Sequence, residues 1–208
     1  MEALLAFGAA LLALRLGGAL VARWRARRRP ELAAWAAALV SYAIAAGAMA
    51  WGAAAGWSEL TFRVYYLFGG LLTAALLGLG SLLFYGWRRT LFPGLLYVGL
   101  AIGVAIAAPI HDDIAGTNIP DAQEQLAFFP ARFVAILGNS IGTLAAIGVA
   151  IATIRHRPLG NVLIITGIAV AAAGSAFAGL GAARTAVFVA IAALLLYGGF
   201  TARSVATH

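Results

Sequence analysis

The chain has 208 residues, of which 63% are hydrophobic and only 10% charged; a soluble domain carries about a quarter of its residues charged, so lipid is the expected solvent. Spans of about 20 residues joined by short connections leave room for about seven helices and for no separate soluble domain. The formal charge of +7 does not signal nucleic acid, because Arg23, Arg25, Arg27, Arg28, Arg29, Arg88, Arg89, Arg155, Arg157 and Arg203 all lie in short segments between apolar runs, where positive charge sets membrane orientation.

There is no Cys, which excludes disulfides, thiolate metal sites and cysteine nucleophiles. There is no Lys either, which excludes a retinal Schiff base. The alanine-rich, arginine-only composition resembles that of a GC-rich bacterial genome, so the expected location is the bacterial cytoplasmic (inner) membrane, as a multi-pass protein. Glu2 precedes the first apolar run and the positive charges follow it. A secretory signal has the opposite order, so this segment is expected to stay as a helix.

One all-α domain over 1–208 is predicted, a transmembrane bundle of seven helices. Helix 1 covers 3–21 and ends in the basic cluster 23–29, which is also placed to meet anionic lipid. Pro30 opens helix 2 (32–55) at a position where its missing N–H costs nothing. Trp57-Ser58-Glu59 forms a short turn into helix 3 (60–85). Pro93-Gly94 leads into helix 4 (95–110), and the polar stretch 111–125 follows. Helix 5 spans 126–154, helix 6 spans 159–178 after Pro158, and helix 7 spans 184–202. Positive charge crowds the connections on one side, whereas Arg63, Arg132 and Arg184 at helix ends are all that the other side has. The rich side is therefore cytoplasmic, with the N-terminus outside and the C-terminus inside. Trp24, Trp35 and Trp87 near the inner interface and Trp51 and Trp57 near the outer one fit the same frame.

Three inner hairpins repeat a basic pair followed by proline, which any such hairpin needs and which a duplicated hairpin would also produce. Gly167, Ala171, Ser175 and Gly179 recur every fourth residue on helix 6, and Gly69, Gly70, Gly78 and Gly80 crowd helix 3. Small residues in such rows admit close backbone approach, within the chain first and in a dimer second.

Arg63, Arg132 and Arg184 mark the outer ends of helices 3, 5 and 7, among the acids Glu59, Asp112, Asp113, Asp121 and Glu124. Glu59 and Arg63 stand four apart on one helical face, a spacing that pairs them. The first expectation is a clasp of ion pairs holding the 111–125 loop over the bundle. The second is an outward pocket in which the three guanidinium groups meet a small anionic or lipid ligand, with Tyr65, Tyr66, Phe128 and Phe129 as walls. His111-Asp112-Asp113 matches no zinc spacing, and no metal or cofactor is expected. Within the spans, Arg15 is expected to snorkel, and Asn139 and Thr143 share a face suited to a polar cavity or an interhelical hydrogen bond. No Asp, Glu or His lies deep in a span and no proline interrupts a helix centre, which argues against an ion-coupled pump and against catalysis.

Arg63-Val-Tyr65-Tyr66-Leu-Phe-Gly69-Gly70, Leu77-Gly78-Leu79-Gly80, Arg132 and Leu137-Gly138-Asn139-Ser140-Ile141-Gly142-Thr143 resemble a group of small, functionally uncharacterised bacterial seven-helix membrane proteins. The resemblance implies the architecture and no activity. The expected role is a non-enzymatic protein that binds or passes a small solute or lipid through an outward-facing pocket. The alternative is an accessory or scaffold protein that packs with a membrane partner or with itself.

Overall fold

The structure, a computed structural model, describes residues 2–111, 114–178 and 185–202. Helices dominate because alanine and leucine fill the runs between turns, and both are strong helix formers. In chain order they are α1 (Glu2–Arg27), α2 (Pro30–Ala55), α3 (Glu59–Tyr65), a π-helical segment (Tyr66–Leu72), α4 (Thr73–Phe84), a 3₁₀ turn (Arg88–Thr90), α5 (Leu91–Ala107), α6 (Ala122–Gln125), a π turn (Phe128–Arg132), α7 (Phe133–Ala152), α8 (Pro158–Ala178) and α9 (Thr185–Thr201). Five rods are long and apolar enough to cross a membrane: Glu2–Arg27, Pro30–Ala55, Glu59–Phe84, Arg88–Ala107 and Phe128–Ala152. Pro158–Gly174 and Thr185–Thr201 are shorter apolar helices.

Several boundaries depart from expectation, each for a local reason. α1 runs on to Arg27, six residues past 21, since arginine is helix-compatible and cations suit a helix C-terminus. α5 starts at Leu91 and takes Pro93 into its first turn, where the missing N–H has no intrahelical partner to lose. It stops at Ala107 because Ala108, next to Pro109, is extended (φ −64°, ψ 127°). The predicted 126–154 helix becomes regular only at Phe133, since Phe129 before Pro130 is extended as well (φ −110°, ψ 135°). The predicted 60–85 helix is interrupted by the π segment.

The rods close into a ring. α1 packs on α2, α2 on α4, α4 on α7, α7 on α8, α8 on α9, and α9 returns to α1. α5 stands outside this ring, against α4, α7 and the π segment, with 17% of its apolar window buried against 33–50% for the other four long rods. Glycine sets the closest crossings. Gly142 of α7 lies so near α4 that a Cβ there would sit 2.8 Å from the Ala75 Cα, and Gly160 of α8 meets the Gly199 backbone of α9. On α8, Gly167 is covered by Leu195 and Leu196 of α9; Ser175 and Gly179, the rest of the expected small-residue row, lie outside the described side chains. Trp57 departs from the expected aromatic belt. It is buried, lying against Gly52 and edge-on to Tyr65 at 5.4 Å.

These crossings separate glycines that are packed from glycines that are open. Gly142→Val is expected to destabilise the protein by about 1–3 kcal/mol through overpacking. Gly103→Val, at a site with nothing within 4 Å, is expected to change little, both read by denaturant unfolding in detergent micelles.

Candidate functional site

The π segment is the starting point of the site. Gly69-Gly70 removes two Cβ atoms from the middle of a long apolar rod, and there the backbone widens from i−4 to i−5 pairing, with Thr73 N–H donating to Phe68 O. Such widening frees carbonyls, and in hydrocarbon they need partners from within the protein. Three side chains supply them. Thr73 Oγ1 donates to Phe68 O at 2.7 Å, Asn139 Nδ2 donates to Gly70 O at 2.6 Å, and the Tyr97 hydroxyl lies 2.9 Å from Leu71 O and 3.2 Å from Val134 O. Tyr97 reaches this point because residue 138 is glycine; a Cβ there would sit 2.8 Å from the Tyr97 ring edge.

Beside this segment, inside the ring, is a cavity of ≈ 580 Å³. It exists because small residues make up much of the wall: Ala45 and Ala46 of α2, Gly69 and Gly70, Ala135 of α7, Ala171 and Ala172 of α8. Helical backbones at ring distance are not filled in by methyl groups. Set into this apolar wall are Tyr65, Tyr66, Gln123, Arg132, Asn139 and Thr143. The Tyr66 ring stacks on Phe62 with centroids 6.0 Å apart. Tyr66 is 7% exposed, and among the described residues its hydroxyl finds no partner, a rare state for a buried polar atom. Arg132 is half-buried, with Nη2 3.4 Å from Gln123 Oε1 and its guanidinium 5.7 Å over the Phe128 ring. Among the described residues no carboxylate meets it.

The cavity thus gathers five of the expected ligand residues, Tyr65, Tyr66, Arg132, Asn139 and Thr143. Arg63 is not among its lining residues. Its Nε and Nη2 engage Glu59 at 2.8 Å, while Nη1 donates to Ala105 O at 2.8 Å, Ile106 O at 3.3 Å and Ala108 O at 2.9 Å. These carbonyls lie at the C-terminus of α5, which has no intrahelical donors left and whose dipole favours a cation. Arg63 is a helix cap, and the expected cluster of three arginines loses it. Arg184, Asp112 and Asp113 lie outside the described residues.

The expected ionic clasp also takes another form. Asp121 accepts from Gln123 N at 2.8 Å and caps α6, and Glu124 has no ion pair among the described residues. The described residues of the 111–125 stretch are held largely by main chain, with His111 Nδ1 3.0 Å from Gln125 O and Arg132 Nη2 3.4 Å from Gln123 Oε1 beside it. Trp57 N donates to Gly116 O at 2.7 Å, His111 N to Gln125 O at 3.1 Å, and Ile110 bridges Leu126. Among the described residues no three His, Asp or Glu side chains are grouped to hold a metal.

Tyr97, Gln123 and the π segment escaped the sequence reading. A Gly-Gly pair following two tyrosines was the available sign of the last; carbonyl acceptors, having no residue identity, gave none for the others.

The two arginines separate in a stability measurement. Arg63→Gln strips donors from the α5 carbonyls and is expected to cost about 1–3 kcal/mol. Arg132→Gln is expected to stay within about 0.5 kcal/mol, both by unfolding in detergent. No family model matches this chain, and no curated protein and no solved structure matches it either.

Proposed function

We propose that this is a bacterial cytoplasmic-membrane protein of seven spans, N-terminus outside, that binds or passes a small amphiphile with an anionic head. Its five long apolar rods and two shorter ones support the span count, and the distribution of arginine supports the orientation. The observation that carries the ligand class is one pair of groups. Among the described residues, a half-buried guanidinium without an acid partner shares a cavity with a buried hydroxyl that has no acceptor or donor. An anionic head satisfies both, through charge-assisted hydrogen bonds to Arg132 and one from Tyr66. The alanine and glycine walls take an apolar body, and ≈ 580 Å³ falls in the usual range of about 300–1,000 Å³ for small-molecule sites. Among the described residues the cavity lining contains no Asp, Glu or His, only Tyr42, Tyr65, Tyr66 and Arg132 as titratable groups, which favours binding over catalysis. The resemblance to small bacterial seven-helix membrane proteins is one of sequence motifs alone.

A second reading, an accessory protein that packs beside a membrane partner or a second copy, has its own support. Gly167 of α8 is covered by α9, whereas Gly99 and Gly103 of α5, four apart, are exposed with nothing within 4 Å. α5 is also the peripheral rod, so its open face is where such association belongs.

Decanoate, with decanol as the neutral comparator, tests the first reading by the thermal stability of the purified protein. Decanoate is expected to raise the melting temperature and decanol to do so far less. Arg132→Gln should weaken the decanoate response at least tenfold, or about 1.4 kcal/mol, and Tyr66→Phe by a smaller factor. Equal stabilisation by both compounds, or a response indifferent to Arg132, would contradict the reading.

A further inference from the structure

The arginine-rich end of the bundle holds a second cavity, of ≈ 420 Å³, between the α1–α2 turn and the end of α4. Its lining includes Arg27, Arg28, Arg29 and Arg88, with Glu31 as the one acid. The Glu31 carboxylate is buried, at 7% side-chain exposure, and it pairs with Arg29. Arg27, Arg28 and Arg88 meet no acid among the described residues. All three are exposed, so water and salt weaken their mutual repulsion, and an anion between them removes what is left.

Two features of the backbone add to this field. Arg28 ends α1 with φ +52° and donates its N–H to Trp24 O at 2.7 Å, a left-handed cap position normally given to glycine or asparagine. Its guanidinium rests 5.1 Å over the Trp24 ring. Pro30 then starts α2, a helix of 26 residues, so the positive end of that helix borders the same space. On the far side the wall is apolar, with Leu83 and the exposed Phe84.

We propose that this pocket binds a phosphate group, the anion whose oxygens match several guanidinium forks at once. The phosphate is that of an anionic phospholipid headgroup, with its chains passing over Phe84, or a free phosphate; the chemistry of the pocket is common to both. The site is separate from the central cavity and does not depend on what that cavity holds.

The test uses the full chain in mild detergent and native mass spectrometry. The probes are dioctanoyl phosphatidylglycerol, dioctanoylglycerol as its phosphate-free counterpart, and inorganic phosphate. Phosphatidylglycerol is expected to bind where dioctanoylglycerol does not, and Arg88→Gln is expected to weaken it at least tenfold. Arg89→Gln removes the same charge from the neighbouring residue, which does not line the pocket, and should change binding less than twofold. Competition by inorganic phosphate assigns the site to free phosphate, and its failure to compete assigns the site to lipid. Should Arg88→Gln lose its fold, Arg28→Gly, which suits the +52° backbone, takes its place with the same tenfold expectation. The proposal is overturned if neither phosphate-bearing probe binds, or if Arg89→Gln weakens binding as much as Arg88→Gln does.

Discussion

In a chain solvated mostly by hydrocarbon, each backbone N–H and C=O without a partner costs several kcal/mol, so polar side chains go first to the backbone. This constraint accounts for groups that otherwise look like ligands. Arg63 closes the C-terminal carbonyls of α5. Arg157 does the same for α9, reaching Gly199 O at 3.2 Å and Ala202 O at 2.8 Å. Asn139 and Tyr97 hold the carbonyls that the π segment releases, and the Tyr42 hydroxyl takes Val189 O at 2.6 Å. Among the described residues the buried Trp35 and Trp57 Nε1, Gln125 Oε1 and the Tyr66 hydroxyl are left without partners, and Arg132 in the central cavity and Arg27 and Arg28 at the α1–α2 turn meet no acid. Arg15 also belongs here, exposed on the outer face of α1, where a long stem lets the charge snorkel toward water.

The same chain composition that makes strong helices makes an imperfectly filled centre. Alanine lets rods approach and form a ring, yet contributes one methyl where leucine would contribute four carbons. The central cavity is therefore a consequence of which small residues face inward, and the π segment adds to it by widening the wall at Gly69 and Gly70. Apolar bulk is displayed outward instead, as by Phe92 at 77% and Ile106 at 72% exposure on α5. That arrangement suits lipid contact.

Much of this was legible in the residues. Apolar runs located the rods, Pro30 and Pro158 located two helix starts, and the four-residue spacing of Glu59 and Arg63 foretold their pair. The shared face of Asn139 and Thr143 suits either cavity lining or an interhelical bond, and Asn139 is placed to do both. What stayed hidden depends on tertiary placement. Nothing in the sequence says that Arg63 will lie beside the end of α5, because its acceptors are main-chain carbonyls. The π segment was hidden for a related reason, since the donors that make it tolerable come from residues 97 and 139, far along the chain. Pro109 and Pro130 carried a sign that the expected 95–110 and 126–154 helices overran: the residue before each is extended, so α5 ends at Ala107 and α7 becomes regular only at Phe133.

Whether the ring encloses a water-accessible cavity beside Arg132 can be measured directly, because the sequence contains no cysteine. Single cysteines at Ala135, Thr143 and Ala172 in the cavity lining, and at Ile141 and Leu144 on the outer surface of α7, are treated in membranes with a charged, membrane-impermeant thiol reagent. The account predicts rapid modification of the first three, only from the side of the membrane on which Arg132 lies, with Ile141 and Leu144 positions left unmodified. Unreactive cavity positions, or reaction at positions 141 and 144 equal to theirs, would contradict it.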